Sequence, residues 1–153
     1  MRRNGRISHN HWLPPPVDVV KLNFNGAICS KNKRAGIGMV VRDTIGLVLA
    51  YCAKPVPQPY KAAEVESLAA ATALSFATEL GFRWVILEGD LMEVIQALRE
   101  NDQSLTPMGL LLEDVRMLSQ QFVQLLYSHT KRDGNSVAHS LAKYALSIPN
   151  FVA

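Results

Sequence analysis

One short stretch, Lys21–Ala27, constrains the fold of this chain more than any other. Polar and apolar side chains alternate from Lys21 to Asn25, and Gly26 follows. This pattern predicts a strand that carries a polar group to its end and lets another part of the backbone come close. Two carboxylates later in the chain, Glu66 and Asp90, are placed to reach the same strand end. Together the three polar side chains suggest a metal site directed at phosphate.

The order of the remaining patterns predicts a mixed sheet. The predicted segments are strands at about 19–27, 36–42 and 46–52, a helix at 62–80, a strand at 83–87, helices at 91–99 and 107–120, a strand at 122–127 and a helix at 135–146. Turn residues at 43–46 predict an antiparallel hairpin between the second and third strands, and Pro55 is expected to stop any further strand. Later strands alternate with helices, which predicts parallel additions to the sheet and an α/β fold with helices on its faces.

The first 16 residues differ in composition from the rest. They are polar and basic and end in Pro14–Pro16, which favours an extended segment over a packed element. We therefore predict a tail or linker over 1–16 and one domain over 17–150, because 48% apolar content in 153 residues suffices for a single core. Two interpretations of Trp12 stay open: it docks on the domain edge, or it is an aromatic side chain in a tail.

Charge and cysteine content restrict the function classes. The formal net charge of +3 permits an anionic partner, although the basic residues are spread along the chain. Cys29 and Cys52 lack the spacing of a metal motif, which indicates reduced thiols in an intracellular protein of the nucleus or cytoplasm. No apolar stretch approaches the length needed to span a bilayer, so neither secretion nor membrane insertion is expected.

The residues alone leave two readings for each carboxylate. Glu66 shares a helical stripe with Ala70, Ala73 and Ala77, and a carboxylate on such a small face needs a cation or a donor if it is buried. Alternatively, Glu66 sits at the solvated edge of the stripe. Asp90 follows an apolar strand and precedes a helix, where an aspartate is more often an N-terminal cap than a ligand.

A set of ordered motifs resembles one family. Their order and spacing, over about residues 12–146, are similar to those of the ribonuclease H-like domains of plant proteins, many of which are related to the C-terminal part of retroelement reverse transcriptases. The motifs are Trp12-x-Pro-Pro, Lys21-Leu-Asn-Phe-Asn-Gly-Ala, Ala35-Gly-Ile-Gly, Val41-Arg-Asp, Ala63-Glu-Val-Glu-Ser-Leu-Ala, Glu88-Gly-Asp and Asn135-Ser-Val-Ala-His-Ser-Leu-Ala-Lys.

The resemblance implies a five-stranded mixed sheet and a four-residue acidic site. Active members cut the RNA strand of an RNA–DNA hybrid with two magnesium ions held by four acids. Carried over by position, these acids fall on Asn25, Glu66, Asp90 and His139, of which Glu66 and Asp90 are the predicted metal ligands. The expected cofactor is Mg²⁺, or Mn²⁺ because imidazole suits manganese better. Since Asn25 offers one neutral oxygen in place of a carboxylate, we predict weak or lost hydrolysis.

Further expectations concern the partner. The predicted nucleic-acid contacts are Gly26, Lys31, Lys33 and Arg34, and the expected partner of a monomeric domain is RNA–DNA hybrid or duplex RNA. Two alternatives to an active nuclease are a module that binds such duplexes without cutting and a protein-interaction domain. The dipeptide Asn25-Gly26 is also prone to spontaneous deamidation, which would regenerate an aspartate.

Overall fold

The alternating stretch forms the central strand of a five-stranded sheet. The computed structural model describes residues 11–31, 33–56, 61–100 and 106–153. Its elements are β1 (Val20–Cys29), β2 (Arg34–Arg42), β3 (Val48–Val56), α1 (Ala62–Glu79), β4 (Trp84–Gly89), α2 (Met92–Glu100), α3 (Pro107–Ser119), β5 (Gln124–His129), a 3₁₀ turn (Arg132–Asn135) and α4 (Ser136–Ala145).

The sheet is mixed, as the sequence predicts. Its strand order is β3-β2-β1-β4-β5, with β1 antiparallel to β2 and β2 antiparallel to β3. The later strands add in parallel, β4 beside β1 and β5 beside β4, and helices provide the crossovers. The predicted α/β class and the mixed five-stranded sheet are therefore confirmed.

The expectation that Pro55 stops the third strand is wrong. Pro55 lies inside β3 and pairs with Gly36, and the strand continues to Val56. Because β3 is an edge strand, a proline can occupy it without breaking the ladder to β2. The N–H of Ala53, two residues earlier, points away from β2 and donates to the Val152 carbonyl, so the donor that Pro55 lacks belongs to the open side of the sheet.

Glycines on β1 and β2 let helices approach both faces of the sheet. A Cβ on Gly26 would lie 2.5 Å from the Val65 side chain in α1, and one on Gly38 would lie 2.3 Å from the Ala138 carbonyl oxygen in α4. Asn25 is the register partner of Gly38, so these two residues share the α4 face, whereas Gly26 looks toward α1. The two helices therefore lie on opposite faces of the sheet at the level of Asn25 and Gly26.

One core fills the space between the sheet and α1, α2 and α3. Its largest fully buried side chains include Phe24, Leu74, Leu87, Ile95 and Leu112, which come from two strands and three helices. Over the described ranges, none of the helices is long and apolar enough to cross a membrane.

The described part of the N-terminal segment is packed. Residues 11–16, which we predicted as tail or linker together with 1–10, lie against the sheet, and Pro15 is buried. The indole N–H of Trp12 donates to Asn23 Oδ1 at 3.0 Å, so Trp12 docks on the domain. Residues 1–10 lie outside the described residues.

The close approach of α4 generates a stability prediction. Gly38→Ala is expected to lower the free energy of unfolding by about 3 kcal/mol, because the new methyl group would meet rigid helix backbone. Gly81→Ala serves as the comparison: Gly81 has φ +86° but no atom within 4 Å of its added Cβ, so its cost is about 1 kcal/mol of backbone strain. Urea unfolding of both variants measures the difference. Equal losses would show that α4 can shift to make room.

Candidate active site

Four predicted site residues meet at the end of β4, beside the middle of β1. The expectation that Asn25 lies at a strand end is wrong, because β1 continues to Cys29 through its pairing with β2. Asn25 lies on β1, Glu66 on α1, Asp90 directly after β4 and His139 on α4. The parallel register of β1 and β4 pairs Asn23 with Glu88, which brings the next polar residues on the two strands to the same level. The topology therefore gathers side chains that are separated by as many as 114 positions in sequence.

The amide of Asn25 is the centre of this group. Its nitrogen donates to Glu66 Oε1 and to Asp90 Oδ1, each at 3.0 Å. Its oxygen lies 3.1 Å from Nδ1 of His139. The opposite orientation of the amide would turn its oxygen toward the carboxyl oxygens of Glu66 and Asp90. These two acceptors therefore favour the orientation in which the amide nitrogen faces them. His139 then carries its proton on Nδ1 and donates it to Asn25.

Glu66 is buried, with 5% of its surface exposed. Its Oε1 also accepts the backbone N–H of Gly26 at 2.6 Å, while Oε2 is buried with no hydrogen-bond partner among the described residues. Burial is the main reason that the pKa of Glu66 lies at about 8; the Gly26 N–H and Arg132 lower the pKa, and Asp90 raises it. Glu66 is therefore largely protonated at neutral pH in this arrangement.

Arg132 is a site residue that the sequence reasoning missed. Its Nε donates to Asp90 Oδ2 at 3.1 Å, and one of its terminal nitrogens lies 3.3 Å from Nε2 of His139. Burial, followed by the charge of Arg132, lowers the pKa of His139, although Asp90 opposes this effect. A neutral His139 accepts from Arg132 and donates to Asn25. The only signal in the sequence was the position of Arg132 in the short connection between the last strand and the last helix.

The predicted nucleic-acid contacts divide into two pairs. Lys31 and Lys33 are exposed in the β1–β2 hairpin loop. Arg34 donates to the Ile148 carbonyl at 2.9 Å, and the backbone N–H of Gly26 is engaged by Glu66. The two lysines are therefore the members of this set whose charges face solvent.

A cleft of about 300 Å³ opens at the site. Its lining comprises Asn25, Gly26, Ile28, Ala62, Glu66, Asp90, Leu91 and Arg132. Polar groups of opposite sign thus meet in one concave surface at the end of the sheet.

The donor set does not fit the pair of magnesium ions that the resemblance implies. The orphaned Oε2 of Glu66 would suit one cation, but two carboxylates supply too little charge for two dications, and the Asn25 nitrogen occupies the space between them as a donor. In the described part of the chain, no three His, Cys, Asp or Glu side chains group together as a set of metal ligands.

Comparison with known proteins now identifies the family. The profile of the family described as reverse transcriptase-like matches residues 23–145. The chain belongs to the reverse transcriptase-like family. Among curated proteins, no sequence matches it.

Solved structures agree on the fold. Ribonuclease H1 of the archaeon Halobacterium salinarum is 25% identical with a TM-score of 0.78, over 84% of this chain and 97% of that chain. The N-terminal ribonuclease H domain of a Mycobacterium tuberculosis protein is 23% identical with a TM-score of 0.76, over 84% and 93%. LC11 ribonuclease H1 in complex with RNA/DNA hybrid is 18% identical with a TM-score of 0.74, over 83% and 96%. The chain is thus a ribonuclease H-like domain, and the predicted resemblance to that fold family is confirmed. The expected kinship with plant and retroelement proteins stays a prediction.

The buried carboxyl of Glu66 predicts a pH dependence of stability. Below about pH 4.5 Glu66 is protonated in both states; between pH 4.5 and about 8 only the unfolded chain ionises, so the free energy of unfolding falls as pH rises, and above pH 8 this contribution is constant. The slope from one group is at most about 1.4 kcal/mol per pH unit. Glu66→Gln should remove it.

Urea unfolding in the presence of a chelator, at several pH values, compares the two proteins. The variant is expected to gain stability over the original chain as pH rises from 4.5 to 8. Parallel pH profiles would mean that Glu66 is ionised in the folded protein.

Proposed function

We propose that this domain binds RNA–DNA hybrid or duplex RNA. We further propose that, because of Asn25, it hydrolyses the RNA strand only weakly or not at all. The observation that carries the proposal is the pair of hydrogen bonds from the Asn25 nitrogen to Glu66 and Asp90. The amide donates to one oxygen of each carboxyl group without a cation, while Oε2 of Glu66 keeps no hydrogen-bond partner among the described residues. The site is thereby stable as a hydrogen-bonded network, with Arg132 as its nearest positive charge.

Two observations support a nucleic-acid partner. The guanidinium of Arg132, whose side chain is 64% exposed, borders the cleft, and Lys31 and Lys33 are exposed in the loop that follows the cleft residue Ile28 along the chain. Exposed positive charges of this kind attract a phosphate backbone. A solved structure with the same fold, LC11 ribonuclease H1, is a complex with RNA/DNA hybrid.

The structure opposes the deamidation that the Asn25-Gly26 dipeptide suggested. Deamidation requires the nitrogen of Gly26 to attack the side-chain carbon of Asn25. Here both residues are paired with β2, opposite Gly38 and Ile37, and the Gly26 N–H donates to Glu66. The attack would break these contacts, so we expect deamidation of Asn25 to be slow in the folded protein.

The first prediction from the proposal concerns residue 25. Asn25→Asp places a third carboxylate between Glu66 and Asp90 and removes the amide donor, which favours divalent cations at this point. The variant is expected to cleave the RNA strand of a labelled RNA–DNA hybrid in Mg²⁺ or Mn²⁺ at least about 100-fold faster than the original chain. Intact mass of the original chain, measured in parallel, excludes an aspartate formed by deamidation.

The matched control is the double variant Asn25→Asp with Glu66→Gln. It keeps the new aspartate but loses a predicted ligand, so its cleavage should return to the level of the original chain. Equal cleavage by the original chain and Asn25→Asp would refute the suppression by Asn25. If neither protein cuts, suppression by Asn25 alone is also refuted.

The second prediction concerns binding. Lys31→Ala and Lys33→Ala are each expected to weaken hybrid binding and to reduce the slope of log Kd against log salt by about 1, because each removes one phosphate contact. Lys33 has φ +51°, and alanine keeps the same Cβ, so the substitution adds no backbone strain. Lys54→Ala is the control, since Lys54 is an exposed lysine on edge strand β3 beside a different cleft. Fluorescence anisotropy over a salt series measures all three. Salt-independent binding, or no binding by the original chain, would contradict the proposal that this domain binds RNA–DNA hybrid or duplex RNA.

A further inference from the structure

A second layer of polar side chains lies directly behind the candidate site. We call Asn25, Asp90 and His139 the upper layer, and Asn23, Glu88 and Asn135 the lower layer. Asn23 precedes Asn25 by two residues on β1, Glu88 precedes Asp90 by two residues along β4, and Asn135 precedes His139 by four residues, about one turn of α4. The two layers therefore come from the same three regions of the chain: β1, β4 with the residue that follows it, and α4 with the 3₁₀ turn that precedes it.

The lower layer is buried and internally hydrogen-bonded. The Asn23 nitrogen donates to Glu88 Oε1 at 2.9 Å and to Asn135 Oδ1 at 3.0 Å. The Asn135 nitrogen donates to the carbonyl of Phe24 at 2.9 Å, the residue immediately before Asn25. Asn23, Glu88 and Asn135 are each 1% exposed. Side-chain amides thus tie β1 to β4 and to the start of α4 just behind the upper layer.

Asn135 holds this position for a reason other than helix capping. It stands at the N-cap of α4, where asparagine often accepts a helix N–H, yet its side chain makes no capping hydrogen bond. Its oxygen and nitrogen are used instead for Asn23 and for the Phe24 carbonyl. The side chain is therefore a link between α4 and β1.

The N-terminal segment, residues 11–16, completes the lower layer. The remaining polar atom of the Asn23 amide, Oδ1, accepts the indole N–H of Trp12 at 3.0 Å. Two cations lie over the Trp12 ring, with the Arg42 guanidinium 4.9 Å and the Lys21 ammonium 5.6 Å from its centroid. Lys21 also donates to the Leu13 carbonyl at 2.7 Å and lies 3.4 Å from Glu88.

We propose that Trp12 and Asn135 are positioning residues for the candidate site. Trp12 fixes the orientation of the Asn23 amide, Asn23 fixes Asn135, and Asn135 sets both the first turn of α4 and the peptide before Asn25. The directions from which His139 and Asn25 meet then depend on an N-terminal segment that contacts neither of them. The inference rests on the proposed function only for its readout with nucleic acid.

The test uses the full chain with nitrogen-15 in its histidine rings. In the original chain the His139 signals should show the proton on Nδ1, and His139→Gln identifies them among the four histidines of the sequence. Trp12→Phe keeps an aromatic ring next to the two cations but removes the N–H donor. We expect the His139 ring signals to move or broaden in this variant and hybrid affinity to fall about fivefold, the size of one lost hydrogen bond.

Two further variants separate positioning from general stability. Asn135→Ser provides a good N-cap and preserves the helix start, yet removes the links to Asn23 and Phe24, so it should change the His139 signals as Trp12→Phe does. Trp84→Phe changes the second tryptophan, which is 47% exposed at the start of β4, and should leave those signals unchanged. Thermal melting of each variant confirms that it is folded at the temperature of the measurement.

The outcomes are distinct from those of the proposed function. Unchanged His139 signals in Trp12→Phe or in Asn135→Ser, even with a lower melting temperature, would overturn the inference and leave a stabilising contact only. Altered signals together with no hybrid binding by the original chain would support the positioning role and contradict the proposed partner.

Discussion

The site depends on how two carboxyl groups are held close together without a resident positive charge between them. Glu66 and Asp90 both approach the Asn25 nitrogen, and a neutral donor meets each of them at hydrogen-bond distance. An amide relieves less repulsion than a cation would, and the buried Glu66 responds by keeping its proton. Asp90, closer to solvent, is balanced by Arg132. The amide of Asn25 is thus linked to the protonation of Glu66 and to the charge balance around Asp90.

The fold provides this arrangement through simple periodicities. Alternate residues of a strand share a face, and residues four apart on a helix lie one above the other. Parallel pairing of β1 with β4 brings Asn23 beside Glu88, and the same spacing carries Asn25 and Asp90 to one level. Two similar polar layers result. The lower layer is buried and hydrogen-bonded to its neighbours, whereas the upper layer is next to a cleft.

Much of this architecture could be predicted from the sequence, and the failures have physical causes. The alternating stretch at Lys21–Ala27 and the apolar run at 83–87 identified the two strands that carry the site, because periodicity is a local property. Pro55 was misread because tolerance of proline depends on whether a strand lies at the edge of the sheet, which only the topology decides. Arg132 was missed because no periodicity marks a cation in a short connection. The burial of Glu66 could not be predicted, because it depends on the close approach of α1 to Gly26, which no local pattern in the sequence reveals.

The C-terminal residues and Pro55 together have a consequence for how the protein behaves at high concentration. An edge strand with free N–H and C=O groups is a template on which another chain can add a strand. On β3, Val152 takes both backbone hydrogen bonds of Ala53, and Pro55 offers no N–H to an incoming strand. An irregularity at Val41 and Arg42 disturbs the register near the other end of β3. These features interrupt the stretch along which a second molecule could pair with β3, and so protect this edge of the sheet against edge-to-edge aggregation.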